Sequence, residues 1–192
     1  REIKGAWARG WALDVHTIKS TLIGPNEWGH PQYDTERSSI GDALYKLKYR
    51  GDETQIEPIA QTVFEFVTAK PELNDICAVL AVPPSDTKRL FQPVTALALV
   101  IGEKLKIPAV TDYPKKVQST PKVANIDDSQ TRHDALAGAF VAEDARFRGK
   151  HVLLFDDLFR SGETLNAMSQ VLISQGSTGK ISVLTVTMTR SK

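Results

Sequence analysis

Cysteine is nearly absent from this sequence: Cys77 is the single one in 192 residues. One cysteine excludes a disulfide within the chain and a cysteine-based zinc site within the chain. Cys77 lies in the apolar run "DICAVLAV", which favours a small core residue over a nucleophile.

Long apolar runs and an excess of one charge are also missing. No stretch approaches the roughly 20 apolar residues of a membrane span, and no signal-peptide pattern opens the chain. Lys and Arg number 24 against 23 Asp and Glu, so the net charge of +1 gives no support for nucleic-acid or membrane binding. We therefore expect a soluble, cytoplasmic protein with one domain over residues 1–192.

The sequence lacks metal-ligand spacing as well. Its four histidines are scattered, which predicts structural or exposed roles and no metal site made by the protein alone. They are His16, His30, His133 and His151. The three tryptophans, Trp7, Trp11 and Trp28, lie near the start of the chain, either in the core or a dimer contact or in a hood that stacks on a base.

What the sequence does contain is an alternation of apolar strands with helical patterns. The patterns predict strands at 12–23, 76–82, 107–110, 152–155 and 181–188. Helices are predicted at 35–50, 54–69, 89–105 and 164–174, with loops at 26–34 and 111–132. This order predicts an α/β fold with a mostly parallel central sheet flanked by helices, and residues 1 to about 35 as a small hood or extension.

Two adjacent acids, Asp156 and Asp157, follow the apolar run 152–155, where mutual repulsion is expensive. Ser161, Gly162 and Thr164 then open a helix, whose unpaired N–H groups and positive dipole end suit a phosphate. Carboxylates repel a phosphate but suit hydroxyl groups or a divalent cation. A ribose 5-phosphate presents a phosphate beside a pair of hydroxyls and fits this pattern.

Two other interpretations use the same residues. The segment "LLFDD" also resembles the acidic strand of a nucleotide triphosphatase, but the chain has no GxxxxGK[ST] loop to accompany it. Alternatively, an acid and Ser161 merely cap the helix, although one cap does not account for the whole ordered set.

The segment "VLLFDDLFRSGETL" resembles the ribose-phosphate motif of type I phosphoribosyltransferases, with Arg160 where that family usually has Thr or Ser. Three further segments are similar to the ComF-like branch of that family: "ALYKLKYRGD", "AVPPSDTKRL" and "TRHDALAGAF". In the last of these, Ala135 replaces the usual Asn.

The resemblance implies a transfer of ribose 5-phosphate from phosphoribosyl pyrophosphate to a nitrogenous base or small acceptor, with Mg²⁺ as cofactor held mainly by substrate oxygens and water. It assigns Asp156 and Asp157 to the ribose hydroxyls as catalytic residues. It also implies that the 5-phosphate contacts Arg160, Ser161, Gly162, Glu163 and Thr164, and that the pyrophosphate contacts Ser85, Lys88 and Arg89. Phosphoribosyl pyrophosphate or a nucleotide 5-monophosphate is the expected ligand, and a homodimer is left open.

Several alternatives stay open at this stage. Lys88 and Arg89 also suit a solvated helix start, and the lysine-containing loop 111–132 is either a lid or an ordinary loop. Lys48 and Arg50 are predicted to cap a helix C-terminus rather than reach a ligand. The alternative function is a non-catalytic nucleotide- or partner-binding regulatory module. A component of DNA uptake or processing is a third candidate, by analogy alone.

Overall fold

A computed structural model describes residues 1–84, 90–117, 136 and 138–190. The strands are β1 Arg9–Val15, β2 Thr17–Pro25, β3 Pro31–Arg37, β4 Ile76–Ala81, β5 Ala109–Val110, β6 Lys115–Lys116, β7 Phe140–Val141, β8 His151–Phe159 and β9 Lys180–Met188. The helices are α1 Ser39–Tyr45, α2 Ile56–Thr68, α3 Pro93–Leu105 and α4 Glu163–Ser174. A π-turn, Lys46–Arg50, continues from α1.

Five parallel strands in the order β1-β9-β8-β4-β5 form the central sheet, which confirms the predicted α/β class. Helices cover both faces, and for this reason the central strands read as continuous apolar runs. Val152 and Leu154 of β8 pack on the face of α4, whereas Leu153 and Phe155 pack on the face of α1, α2 and α3. No helix in the described ranges has the length and apolar character needed to cross a membrane.

The beginning of the chain differs from the prediction. The single strand expected at 12–23 is two strands that break at His16, and β3 occupies part of the loop predicted at 26–34. The first strand, β1, belongs to the central sheet, where Trp11 is buried against Phe66 of α2. Strands β2 and β3 form a separate antiparallel hairpin that exposes Leu22 and Trp28. The alternating pattern runs through His16, so it carries no signal for the break.

Strand β8 is longer than its apolar run. It was predicted to end at Phe155, but it continues to Phe159, so both acids lie within the strand. The extension exists because β9 pairs with β8 as far as Phe159, opposite Met188. On the other side, β4 pairs with β8 only as far as Phe155.

A buried histidine joins three strands at their amino ends. His151 Nδ1 lies 2.5 Å from Asp75 Oδ1, and His151 Nε2 lies 2.9 Å from Ser182 Oγ. This is the order of a hydrolytic Asp-His-Ser triad, but Ser182 is fully buried and no substrate can reach it. The structural role predicted for His151 therefore fits its position.

Replacing His151 by Ala should destabilise the protein. The change leaves the buried Ser182 hydroxyl without its partner, so we expect the free energy of unfolding to fall by about 1–2 kcal/mol. Urea denaturation measures this quantity, with His30→Ala as control because His30 is exposed in the hairpin turn. Equal stability of the two variants would mean that the His151 hydrogen bonds do not stabilise the fold.

Candidate functional site

The acids lie at the point where the connections of the sheet change direction. The chain leaves β4 for α3 on one face and leaves β8 for α4 on the other. Parallel sheets bind ligands in the crevice beyond the carboxyl ends of strands at such a switch point. Because β4 pairs with β8 only as far as Phe155 while β9 pairs with it as far as Phe159, residues 156–159 extend beyond the last pairing with β4.

By the alternation that places Leu154 on that face, Asp156 is expected on the α4 side of β8. Its Oδ1 accepts the backbone N–H of Asp157 at 2.8 Å. Burial, followed by the nearby charge of Asp157, raises the pKa of Asp156 to about 8, and this hydrogen bond and Lys48 oppose the rise only in part. Asp156 is thus largely a neutral acid at pH 7, on the same side of the sheet as the start of α4.

Asp157 points to the opposite face and is paired there with a lysine. Lys48 Nζ lies 2.7 Å from Asp157 Oδ2, and the side chains are 20% and 10% exposed. The carbonyl of Asp157 also accepts the Thr187 hydroxyl at 3.2 Å. Lys48 does lie in the last turn of its helical segment, as predicted, but its ammonium contacts Asp157.

The start of α4 has the form expected of an anion-binding helix terminus. Gly162 precedes α4 in a left-handed conformation, with φ of 79°, and no side chain caps the helix. The interpretation in which Ser161 or an acid caps this helix therefore fails. Arg160 and Ser161 are exposed, whereas Glu163 and Thr164, in the first turn of α4, are half-buried.

The N-terminal segment packs against this helix start. The rings of Trp7 and Phe159 meet edge to face with centroids 6.5 Å apart, and the Phe159 ring lies against Gly162. The N–H of Ala6 donates to Asn166 Oδ1 at 2.7 Å. Trp7 therefore supports the loop between β8 and α4.

A histidine that the sequence gave no reason to select lies near the acidic pair. His16 is half-buried, and its Nδ1 is 3.4 Å from the Thr187 hydroxyl. Burial lowers its pKa, and the charges of Arg37 and Lys48 lower it further. His16 and Thr187 are far apart in the chain, so only the pairing of strands brings them together.

The proposed pyrophosphate residues, Ser85, Lys88 and Arg89, lie outside the described residues, as does Ala135. Most of the 111–132 loop lies outside them too. At its described beginning, Lys115 pairs with Glu143 at 3.2 Å, and burial lowers the pKa of Lys116.

The described residues contain no group of three His, Cys, Asp or Glu side chains that could hold a metal ion. By the alternation along β8, Asp156 and Asp157 are expected on opposite faces of the sheet. No protein-family model and no curated protein matches the chain. Its function therefore has to be inferred from the geometry of the site.

Proposed function

We propose that the protein binds phosphoribosyl pyrophosphate and transfers ribose 5-phosphate to a nitrogen acceptor. One observation carries the proposal: the acidic pair lies near the carboxyl end of β8, and an uncapped, glycine-led helix N-terminus follows the same strand at the switch point of the sheet. An anion site beside carboxyl groups matches a sugar phosphate better than it matches a free phosphate.

The 5-phosphate would bind the N–H groups at the start of α4, with the Ser161 and Thr164 hydroxyls beside it. Asp156, on the same side of the sheet, would contact the ribose hydroxyls. The bond from ribose C1 to the pyrophosphate oxygen breaks with its electron pair leaving on pyrophosphate, and C1 bonds to the acceptor nitrogen. The acceptor's proton is released to solvent or to the leaving group.

Positive charge develops on the sugar during this step, and a carboxyl group close to it lowers the energy of that state. Asp156 can meet this requirement because it can lose its proton as the sugar becomes cationic. Mg²⁺, where bound, would neutralise pyrophosphate charge. The described side chains offer it no complete ligand set, so oxygens of the substrate and water would supply most of its ligands.

A second candidate is a module that binds the sugar phosphate without turnover. The Lys48–Asp157 pair favours it, because this contact already occupies one of the two acids. Arg160, in the phosphate loop, adds a cation that would tighten binding of a nucleotide 5-monophosphate without assisting the transfer.

Calorimetric titration of phosphoribosyl pyrophosphate with Mg²⁺ tests the common element of both candidates. We expect micromolar affinity in the wild-type protein and in Asp14→Asn, which is the control for the variant Asp156→Asn. Asp14 is the matched control because its Oδ1 accepts the next N–H, as in Asp156, but at the end of β1. Pyrophosphate release with a panel of bases separates transfer from binding alone, and absence of any binding would reject both.

A further inference from the structure

The π-turn after α1 places one cation, the ammonium of Lys48, in contact with the acidic pair. Of its side chains, those of Lys46, Tyr49 and Arg50 are exposed, while Leu47 is fully buried. Leu47 anchors the turn, and Lys48 is thereby directed inward. Single π-turns of this kind are frequent at functional sites.

The contact that Lys48 makes is unlike the other lysine pair of the same turn. Lys46 Nζ lies 2.8 Å from Asp42 Oδ2 with both side chains about half exposed, at the spacing of neighbouring helix turns. Lys48 reaches Asp157 at a similar distance with both side chains largely buried. A buried ion pair is a weak source of stability, because removing two charges from water offsets most of their attraction.

Asp157 is fixed at two points, and Asp156 is not. Lys48 holds the carboxylate of Asp157, and the Thr187 hydroxyl holds its carbonyl. For Asp156, the backbone N–H of Asp157 is the one hydrogen-bond donor in the described part of the chain. The two acids thus differ in freedom as well as in the face they occupy.

We propose that Lys48 is a positioning residue of the sugar-phosphate site. Lys48 holds Asp157 on the face of the sheet that α1, α2 and α3 cover, and it leaves Asp156 as the carboxyl that contacts the ligand. This inference rests on the proposed function for its ligand, but not for the contact itself. Lys48 would act through the acidic pair and would not touch the ribose.

His16 lies near Asp157, and the charges of Arg37, Lys48 and Arg160, which come from several elements, also act on this histidine. His16 lies between β1 and β2, Arg37 ends β3, Lys48 lies in the π-turn and Arg160 follows β8. Of these, Lys48 is the cation in direct contact with a carboxylate of the pair. Its removal should therefore change the charge state of the pair, and removal of Lys46 should not.

The first test needs no ligand. In protein carrying ¹³C at aspartate carboxyl carbons, Asp156 is assigned by its loss in Asp156→Asn and is titrated by NMR. Lys48 lowers the pKa of Asp156, so the titration midpoint should be higher in Lys48→Met than in the wild-type protein. Lys46→Met and the charge-retaining Lys48→Arg should leave it unchanged.

The second test measures the affinity for phosphoribosyl pyrophosphate with Mg²⁺. Lys48→Met should weaken binding about tenfold or more, and Lys48→Arg should weaken it several-fold at unchanged melting temperature, because the guanidinium fork cannot reproduce a point contact. Unchanged titration and affinity in Lys48→Met, or equal changes in Lys46→Met, would overturn the proposal. If Lys48→Met does not fold, full affinity in Lys48→Arg overturns it.

The two tests fail separately. A wild-type protein that binds no phosphoribosyl pyrophosphate would remove the proposed function, and the Asp156 titration would still decide the contribution of Lys48. Binding in the wild type without any effect of Lys48 would reject the positioning role alone.

Discussion

Asp156→Asn is expected to weaken binding of phosphoribosyl pyrophosphate by about 10- to 100-fold, which corresponds to the loss of hydrogen bonds to a group that can ionise. Asparagine keeps the shape of the side chain and accepts the N–H of Asp157, but it cannot become an anion. Transfer should fall further than binding, because the positive charge on the sugar is then unopposed. Calorimetry and pyrophosphate release measure the two effects.

The same substitution should stabilise the protein in alkaline solution. The folded-state pKa of Asp156, about 8, lies above the ordinary aspartate value of 3.8. The folded state therefore holds the proton more tightly, and this stability is present below pH 3.8 and is lost as pH rises through about 8. Because asparagine does not titrate, the free energy of unfolding at pH 9 should exceed that of wild type by on the order of 1–3 kcal/mol.

Thermal and urea unfolding between pH 5 and about 9 measure this gain in stability. Asp14→Asn serves as the control, because its carboxyl makes the same local hydrogen bond away from the acidic pair. A decrease in stability for Asp156→Asn at pH 9 would show that the folded protein does not raise the pKa of Asp156.

Gly162→Ala is expected to destabilise the protein by about 2–5 kcal/mol and to weaken phosphate binding. At φ of 79°, any side chain is strained by about 1–2 kcal/mol. An added Cβ would also lie 2.8 Å from Cε2 of Phe159, and overpacking typically costs a further 1–3 kcal/mol. Relief of this contact would shift the start of α4 and its N–H groups.

Gly149→Ala separates the two contributions. Gly149 has a φ of 68° and no atom within 4 Å of an added Cβ, so its variant carries the backbone strain alone. Urea denaturation should therefore place Gly149→Ala between wild type and Gly162→Ala. Equal losses in the two variants would mean that the Phe159 contact contributes nothing to the position of α4.

The sequence was sufficient for the strands and helices with strong patterns. Apolar runs predicted β4, β8 and β9, and apolar periodicity predicted α2 and α4. These patterns are visible in the sequence because the buried positions of each element are apolar. The end of β8 could not be predicted, since β9 continues to pair with it after its apolar run stops. The hairpin was missed because its strands bury little and so show weak patterning.

The candidate site, like the fold, could be predicted from the sequence only in part. Asp156, Asp157 and Gly162 were selected because they are adjacent in the chain and follow an apolar run. Lys48 was assigned to a helix cap, because its inward direction depends on a π-turn that no periodic pattern marks. The opposite directions of the two acids follow from the extension of β8, which is set by its neighbour.

The position of β9 has a consequence for the order in which the protein folds. Strand β9 lies between β1 and β8, and Arg9 of β1 pairs with Ser182 of β9. During synthesis, β1 leaves the ribosome early and has no strand to pair with until β9 follows. Contacts so distant in sequence slow folding. The acidic pair near the end of β8 thus acquires its final shape only when β9 is inserted.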